Sequence, residues 1–317
     1  MIPEADLDIA IVGGGPAGLT AGIYATRAGL SAAIFERGAV GGQAAITDAV
    51  ENYPGVTGEI SGFDLSAAMR SQAESFGCAF RSEEVTAVEA AGDSQVLEVV
   101  SAAGRTSALA VIAASGANPR RLDVPGEDRF WGRGISSCAT CDGMFYRGKR
   151  VVVVGGGDTA VKEATFLTRF AERISLVHRR DRLRATKANQ DRLSAHGEKV
   201  ECLLGSRVVE IHGEQAVSGV LLEDVKSGKR RELACDGVFL FVGYVPVSGY
   251  LPNGVERDER GYVLTDENMA TSVPGVYACG DVRKKLLRQI VTACGEGATA
   301  AFAAQHRVEE IKGTAYE

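Results

Sequence analysis

Two stretches of this 317-residue chain repeat one pattern, and that repetition constrains the fold more than any other feature. The first passes through Asp8-Ile9-Ala10-Ile11-Val12, a β-branched apolar run, into Gly13-Gly14-Gly15-Pro16-Ala17-Gly18. A helical pattern follows to about Gly29, then a strand from Ser31 to Phe35 that ends at Glu36. The second passes from Arg150 to Val154 into Gly155-Gly156-Gly157-Asp158-Thr159-Ala160. It continues as a helix to about Glu172 and a strand from Ile174 to Val177, ending at His178-Arg179-Arg180. Strand, glycine turn, helix, strand is the βαβ unit of dinucleotide-binding proteins. The first glycine permits the tight turn, the second lets backbone approach a pyrophosphate, and the third keeps helix and strand close. The anion then sits at the helix N-terminus, where unpaired N–H groups and the helix dipole favour it. One such fingerprint can be no more than a turn; two, each after a strand and before a helix, do not repeat by chance.

The residue ending the second strand of each unit separates the two sites. Glu36 lies 18 positions after Gly18, and a carboxylate there accepts hydrogen bonds from ribose hydroxyls while repelling a 2′-phosphate. FAD or NAD is favoured at that site. The second unit carries His178, Arg179 and Arg180 in the same place, with Arg184 just beyond. Guanidinium groups bind phosphate through paired charge-assisted hydrogen bonds, which favours NADPH over NADH. The competing reading of this basic run is a solvated loop, and His178 reads as a structural neighbour rather than an acid or base.

These units predict an α/β fold of two Rossmann-like, three-layer nucleotide-binding domains, one inserted into the other. Val111 to Ser115 reads as a strand leading to a crossover at Asn118-Pro119, and a second crossover falls near Val245 to Gly249. Val276 to Asp281 reads as a strand ending in a Gly-Asp turn, followed by an Ala-rich helix from Ala293 to about Ile311. The expected domains are 1–117 with 248–317, and 118–247 between them.

The 35 basic and 41 acidic residues leave a net charge of -6, which argues against nucleic-acid binding across the surface. The 39 glycines cluster at turns rather than in a low-complexity tract. Met1 to Ala10 lacks the basic and apolar segments of a signal peptide, and no apolar run approaches the roughly 18 to 20 residues that span a bilayer. A cytoplasmic protein without membrane contact is expected.

In a reducing compartment, a close cysteine pair is more often redox-active than structural. Cys138-Ala139-Thr140-Cys141 offers such a pair just before the second βαβ unit. A thiolate there can attack a disulfide and pass on two electrons. Two buried thiols or half a zinc site are the alternatives, although zinc would need two further ligands and neither a second CxxC nor a close His pair occurs. No metal is expected. Asp142 could hold the proton that exchange requires, or cap the next turn. Cys78, Cys202, Cys235, Cys279 and Cys294 lack partners at informative spacing and read as small core residues. No nucleophile elbow or Ser-His-Asp order is visible.

Together, Gly13 to Gly18, Gly41-Gly42-Gln43, Cys138 to Gly143, Gly155 to Ala160, His178-Arg179-Arg180 with Arg184, and Gly280-Asp281 with Arg288-Gln289 resemble the low-molecular-weight thioredoxin reductases across nearly the whole chain. The resemblance implies FAD in the discontinuous domain, NADPH in the inserted one, a homodimer, a large rotation between domains, and thioredoxin or a thioredoxin-like protein as partner. Carried over by position, Gly13, Gly15, Pro16, Ala17, Gly18, Glu36, Gly42, Gln43, Asn52, Val85, Gly116, Asp281, Arg288 and Gln289 would serve FAD. Gly155, Gly157, Asp158, Thr159, His178, Arg179, Arg180 and Arg184 would serve NADPH. Cys141 would face the flavin, Cys138 would attack the partner, and Asp142 would be the acid/base. The chain has Met144-Phe145 where such proteins often present two Phe residues for docking, and Arg133 matches a basic docking position. Related peroxiredoxin-disulfide reductases carry an extra amino-terminal dithiol domain, and with the first unit starting at Asp8 none is expected here. Dithiol oxidases of the same fold do not need the arginine set. A slow nucleotide-binding redox sensor is the rival outside these enzymes.

Overall fold

The computed structural model describes residues 4–47, 50, 52–58, 60–90 and 95–315, without the side chains of Ala90, Thr140 and Cys141. The chain divides into two compact units, Met1–Asn118 with Val245–Glu317, and Pro119–Tyr244.

In the first unit the strand Leu7–Val12 is buried along its whole length. It pairs in parallel with Ala32–Phe35 on one side and Gly104–Ala113 on the other. Ala79–Arg81 extends the parallel sheet beyond Ala32–Phe35, and Val276–Ala278 extends it beyond Gly104–Ala113. Side chains of a strand alternate between faces, and here both faces are covered, so the strand reads as an unbroken apolar run. Ile9 and Ile11 pack with Leu19, Ala300, Ala301 and Ala304 of two helices, Pro16–Arg27 and Ile290–Lys312. Ala10 and Val12 face the opposite way, among Val88, Val99 and Val263.

The strand expected at Val111 to Ser115 starts earlier, at Gly104, and ends at Ala113. Its first half pairs with the antiparallel hairpin Val85–Ala90 and Leu97–Ser101, which no pattern singled out. The long C-terminal helix begins at a reciprocal capping box between Gln289 and Thr292, and stops at Gly313 with φ of 68°. It crosses the first helix closely: a Cβ on Gly297 would lie 2.2 Å from the Ala17 carbonyl oxygen.

The second unit is a parallel five-stranded sheet in the order Val200–Leu204, Arg173–His178, Arg150–Val154, Gly237–Leu240, Ile135–Ser136. An antiparallel sheet of Ser206–Gly213, Val217–Asp224 and Arg230–Ala234 accompanies it. The helix after the second glycine turn spans Asp158–Leu167, five residues short of the expected Glu172. The reason is local. Amides of Thr168, Arg169 and Phe170 bond to carbonyls three residues back, which tightens the chain into a turn. That turn brings the Phe170 carbonyl to the Gly148 amide and the Glu172 amide to the Lys149 carbonyl.

Cys202 departs from the core position expected of it. It is exposed, because Val200–Leu204 is the outer strand of its sheet and turns this side chain away from the packed layers. Cys78, Cys235, Cys279 and Cys294 are buried and free. Among the described residues no helix is long and apolar enough to cross a membrane.

Candidate functional site

In the first unit, the Gly13 amide donates to the Phe35 carbonyl at 2.8 Å, folding the turn back over the adjacent strand. A Cβ on Gly13 would meet the Ala114 carbonyl oxygen at 2.4 Å, and one on Gly18 would meet the Gly13 carbonyl oxygen at 1.9 Å. Only glycine lets these elements approach so far. Gly15 caps the helix Pro16–Arg27 with no side chain over its N-terminus, and space is open beside it. The unpaired amides of this first turn therefore face a gap that an anion can fill. Gly42 comes next to Gly15, and the Gly41 amide donates to the Gly14 carbonyl at 2.8 Å, so the Gly41-Gly42-Gln43 segment closes on the fingerprint; Gln43 is exposed.

Glu36 accepts the Gly14 amide through Oε2 at 2.8 Å and the Gly38 amide through Oε1 at 2.9 Å. It lines a small cavity with Val12, Gly13, Val85, Ser115 and Tyr250. Gly116 adjoins it, its carbonyl accepting the Val247 amide. Asn52 Nδ2 donates to Gln289 Oε1 at 2.9 Å, joining two residues 237 positions apart.

Asp281 lies in the one-turn helix Gly280–Val282. Its Oδ1 is buried and 3.2 Å from Lys285 Nζ, an ion pair whose geometry makes no hydrogen bond. Arg288 stacks its guanidinium 4.4 Å above the Tyr262 ring, and its Nε is buried without a hydrogen bond to the described residues. Sequence reasoning missed the charged network behind Asp281. Lys285 is only 6% exposed and reaches Glu296 at 3.3 Å; Glu296 also pairs with Arg283 at 3.1 Å and accepts the Gly280 amide at 2.8 Å. The run Arg283-Lys284-Lys285 looks like a solvated turn in the sequence, and only the contact with a helix eleven residues on reveals its burial. Uncapped turn, carboxylate at the strand end, and buried polar atoms without hydrogen bonds all fit an FAD.

In the second unit, Gly157 caps the helix Asp158–Leu167, again with no side-chain cap and open space beside it. Gly155 sits against the Phe241 carbonyl oxygen, where a Cβ would be 2.5 Å away. Asp158 is tied to the segment that follows the arginines. Its Oδ1 accepts from the amide and hydroxyl of Thr186 at 2.8 and 2.9 Å and from Asn189 Nδ2. The Arg184 and Ala185 amides donate to the Gly156 carbonyl at 2.6 and 3.1 Å, so the arginine loop is tied twice to the glycine turn. These bonds to Asp158 hold its carboxyl below the ordinary carboxylate range. Thr159 is exposed.

A cavity of about 580 Å³ runs from Gly155 and Gly156 past His178 to Arg179 and Arg184. His178 is 8% exposed, its ring lies where a Gly156 side chain would be, and its Nε2 has no hydrogen-bond partner among the described residues. That orphaned nitrogen, the open helix end and the arginines fit an NADPH. Burial first, then the charges of Arg184, Arg180 and Arg179, push the His178 imidazole below 6.5. A lowered folded pKa means that the unfolded chain binds the proton more readily. The resulting stability is complete above 6.5 and lost as pH falls through the folded value. In urea unfolding at stepped pH, the wild type is therefore expected to lose stability between about pH 7 and 5 more steeply than His178→Gln. Parallel curves would remove His178 from the account.

Cys138 is held in a disulfide. Its amide donates to Ser136 Oγ at 3.0 Å, and its carbonyl accepts the Asp142 amide at 3.2 Å, which starts the short helix Ala139–Asp142. The Cys141 side chain lies outside the described atoms. Asp142 precedes a one-turn helix, Gly143–Tyr146, but makes no side-chain cap there, so the capping alternative does not describe it. Met144 and Phe145 follow at 61% and 66% exposure, and Arg133 is also exposed. Glu163, which sequence reasoning also missed, accepts the Ala139 amide; burial raises its pKa above the usual carboxylate value. Among the described residues no group of metal-ligating side chains gathers.

The model of the pyridine nucleotide-disulphide oxidoreductases matches residues 7–297. The chain is 47% identical over 309 residues to a thioredoxin reductase of Treponema pallidum (strain Nichols), covering 98% of this chain and 99% of the relative. It is 46% identical over 315 residues to one of Bacillus subtilis (strain 168), covering 99% and 98%. The crystal structure of Lactococcus lactis thioredoxin reductase in its FR conformation matches with a TM-score of 0.88 at 40% identity, over 96% of this chain and 100% of that one.

Proposed function

The chain belongs to the pyridine nucleotide-disulphide oxidoreductase family, and from that premise we propose that it reduces the disulfide of thioredoxin, or of a thioredoxin-like protein, with electrons from NADPH. The observation that carries this reading is a disulfide-bonded Cys138 in the same compact unit as an arginine-flanked nucleotide turn, with a carboxylate-flanked turn in the other unit.

When bound, FAD supplies a two-electron relay between nicotinamide and disulfide, and NADPH supplies the hydride. Gly13, Gly15 and Gly18 shape the turn for the FAD pyrophosphate, and Glu36 takes the adenosine ribose. Asn52, Asp281, Arg288 and Gln289 hold the remainder of that cofactor, with Lys285 and Glu296 fixing Asp281 from behind. Gly155 and Gly157 shape the second turn, and Arg179, Arg180 and Arg184 hold the 2′-phosphate of NADPH. Asp158 acts at one remove: it pins the arginine loop to that turn.

Once Cys138 and Cys141 are reduced, the Cys138 thiolate attacks one sulfur of the partner disulfide. Asp142 has taken the proton that Cys138 lost; the partner's sulfur–sulfur bond breaks, a mixed disulfide forms, and the departing partner thiolate takes that proton from Asp142. Cys141 then attacks the Cys138 sulfur, freeing the second partner thiol and restoring the internal disulfide. The two electrons held by the dithiol now reside on the partner. Exposed Met144 and Phe145 beside the pair offer the apolar surface on which such a partner docks. We place the protein in the cytoplasm as a homodimer. The five free cysteines among the described residues suit a reducing compartment, and the dimer rests on the resemblance alone.

Anaerobic titration of the purified holoenzyme tests the reading. NADPH is expected to bleach the flavin absorbance, NADH to do so far less, and oxidised thioredoxin to restore it. A flavin that NADPH leaves unbleached, or that passes its electrons to oxygen but not to thioredoxin, would overturn the proposal.

A further inference from the structure

The loop after Arg173–His178 faces a second basic element, remote in sequence, that the nucleotide fingerprint does not contain. A cavity of about 500 Å³ is lined by Arg179, Arg180, Arg182, Arg184 and Lys226, and Asp181 is the one acidic residue in its lining among the described residues. Lys226 sits on the turn between the antiparallel strands Val217–Asp224 and Arg230–Ala234. Among the described residues, none of these five cations forms an ion pair with a carboxylate, although sixteen pairs form elsewhere. Five like charges around one cavity, in a chain of net charge -6, repel one another unless an anion enters.

The turn is held in place rather than merely nearby. The Gly205 amide donates to the Arg180 carbonyl at 2.9 Å, and the Val225 amide donates to the Gly205 carbonyl at 2.8 Å. A single residue thus couples the backbone beside Lys226 to the backbone of Arg180. Gly205 has φ of 66°, a left-handed conformation that a side chain would strain. Asp224 completes the arrangement by turning inward. Its Oδ1 accepts the amides of Lys226 and Ser227 at 3.2 and 2.7 Å and the Ser227 hydroxyl at 2.7 Å. Its carboxylate shapes the turn and makes no ion pair with the Lys226 ammonium.

We propose that Lys226 is a further ligand of the adenosine 2′-phosphate and, with the loop arginines, sets the preference for NADPH over NADH. A phosphate monoester carries about -1.5 to -2 charges at neutral pH and three acceptor oxygens. The arginines of the loop offer flat, forked donors; an ammonium from the hairpin adds a compact charge from a second element. The inference rests on the reading that Arg179, Arg180 and Arg184 hold that phosphate.

Calorimetric binding of NADP⁺ and NAD⁺ to the oxidised holoenzyme tests it without turnover. Lys226→Met keeps the aliphatic stem and removes the charge. It is expected to weaken NADP⁺ binding about tenfold, the loss of one partly exposed charge-assisted contact, while NAD⁺ binding changes by less than about twofold. Lys226→Arg is expected to restore most of the loss, and the salt dependence of NADP⁺ binding to become shallower in Lys226→Met. Arg180→Met serves as the reference. If it abolishes the preference for NADP⁺ while Lys226→Met leaves it intact, the role of Lys226 is overturned and the arginine reading stands. If neither variant alters the preference, both fall.

Discussion

A reduced Cys141→Ser protein mixed with oxidised thioredoxin is expected to accumulate a covalent mixed disulfide, and a Cys138→Ser protein to form none. Both should lose disulfide turnover by about a thousandfold or more, since one half of a two-step exchange is removed in each. The asymmetry follows from the proposed order of attack. Cys138 opens the partner disulfide, and without a second thiol the adduct has no route forward. The remaining cysteines are poor substitutes. Burial lifts Cys235 to about 12 and Cys78 to about 11, and pushes Cys279 higher still, so their thiolates are scarce near neutral pH. Among the described residues Cys202 is the exposed free thiol, with its pKa raised by partial burial and then by the charge of Glu201. The comparison therefore belongs in a Cys202→Ser background, with the adduct read by intact-protein mass spectrometry. An adduct on Cys138→Ser instead would reverse the two roles.

What could be read in the sequence was what recurs at fixed spacing. Two strand–glycine–helix units announced two nucleotide-binding domains of Rossmann type, and the structure has a parallel sheet behind each turn. Glu36 and the Arg179–Arg180 pair stand at the ends of their strands because the distance from turn to strand end is set by helix length. The rest depended on contacts between segments far apart. Nothing local marks Lys285 as buried, since its partners Asp281 and Glu296 become neighbours only when the helix Ile290–Lys312 packs. Lys226 is likewise a turn residue until Gly205 ties its hairpin to Arg180. Asp158 looked like one more residue of the fingerprint, and its bonds to Thr186 and Asn189, 28 and 31 positions on, were not legible there. Cys202 misled because apolar character was taken for burial, whereas position on an outer strand decided it.

Two glycines in one helix are expected to respond to the same substitution with opposite signs. Gly295 and Gly297 both lie within Ile290–Lys312, and composition gives no reason to treat them differently. Gly295 is exposed with nothing within 4 Å of a would-be Cβ. Alanine there gains helix propensity and loses unfolded-state freedom, so Gly295→Ala should stabilise by about 0.5 to 1 kcal/mol. Gly297 faces the fingerprint helix, where a Cβ would stand 2.2 Å from the Ala17 carbonyl oxygen and 3.0 Å from its carbon. Those are backbone atoms, so no rotamer relieves the contact, and the two helices must separate. Overpacking of this kind costs about 1 to 3 kcal/mol and occasionally more, enough to outweigh the propensity gain. Because Ala17 lies in the first turn of the helix Pro16–Arg27, directly after the glycine turn, the displacement passes straight into the proposed pyrophosphate site. Gly297→Ala is therefore expected to unfold at lower urea and to purify with little flavin, while Gly295→Ala keeps its colour. Equal behaviour of the two variants in urea unfolding and flavin content would show that the close crossing of these helices does not hold the turn in place.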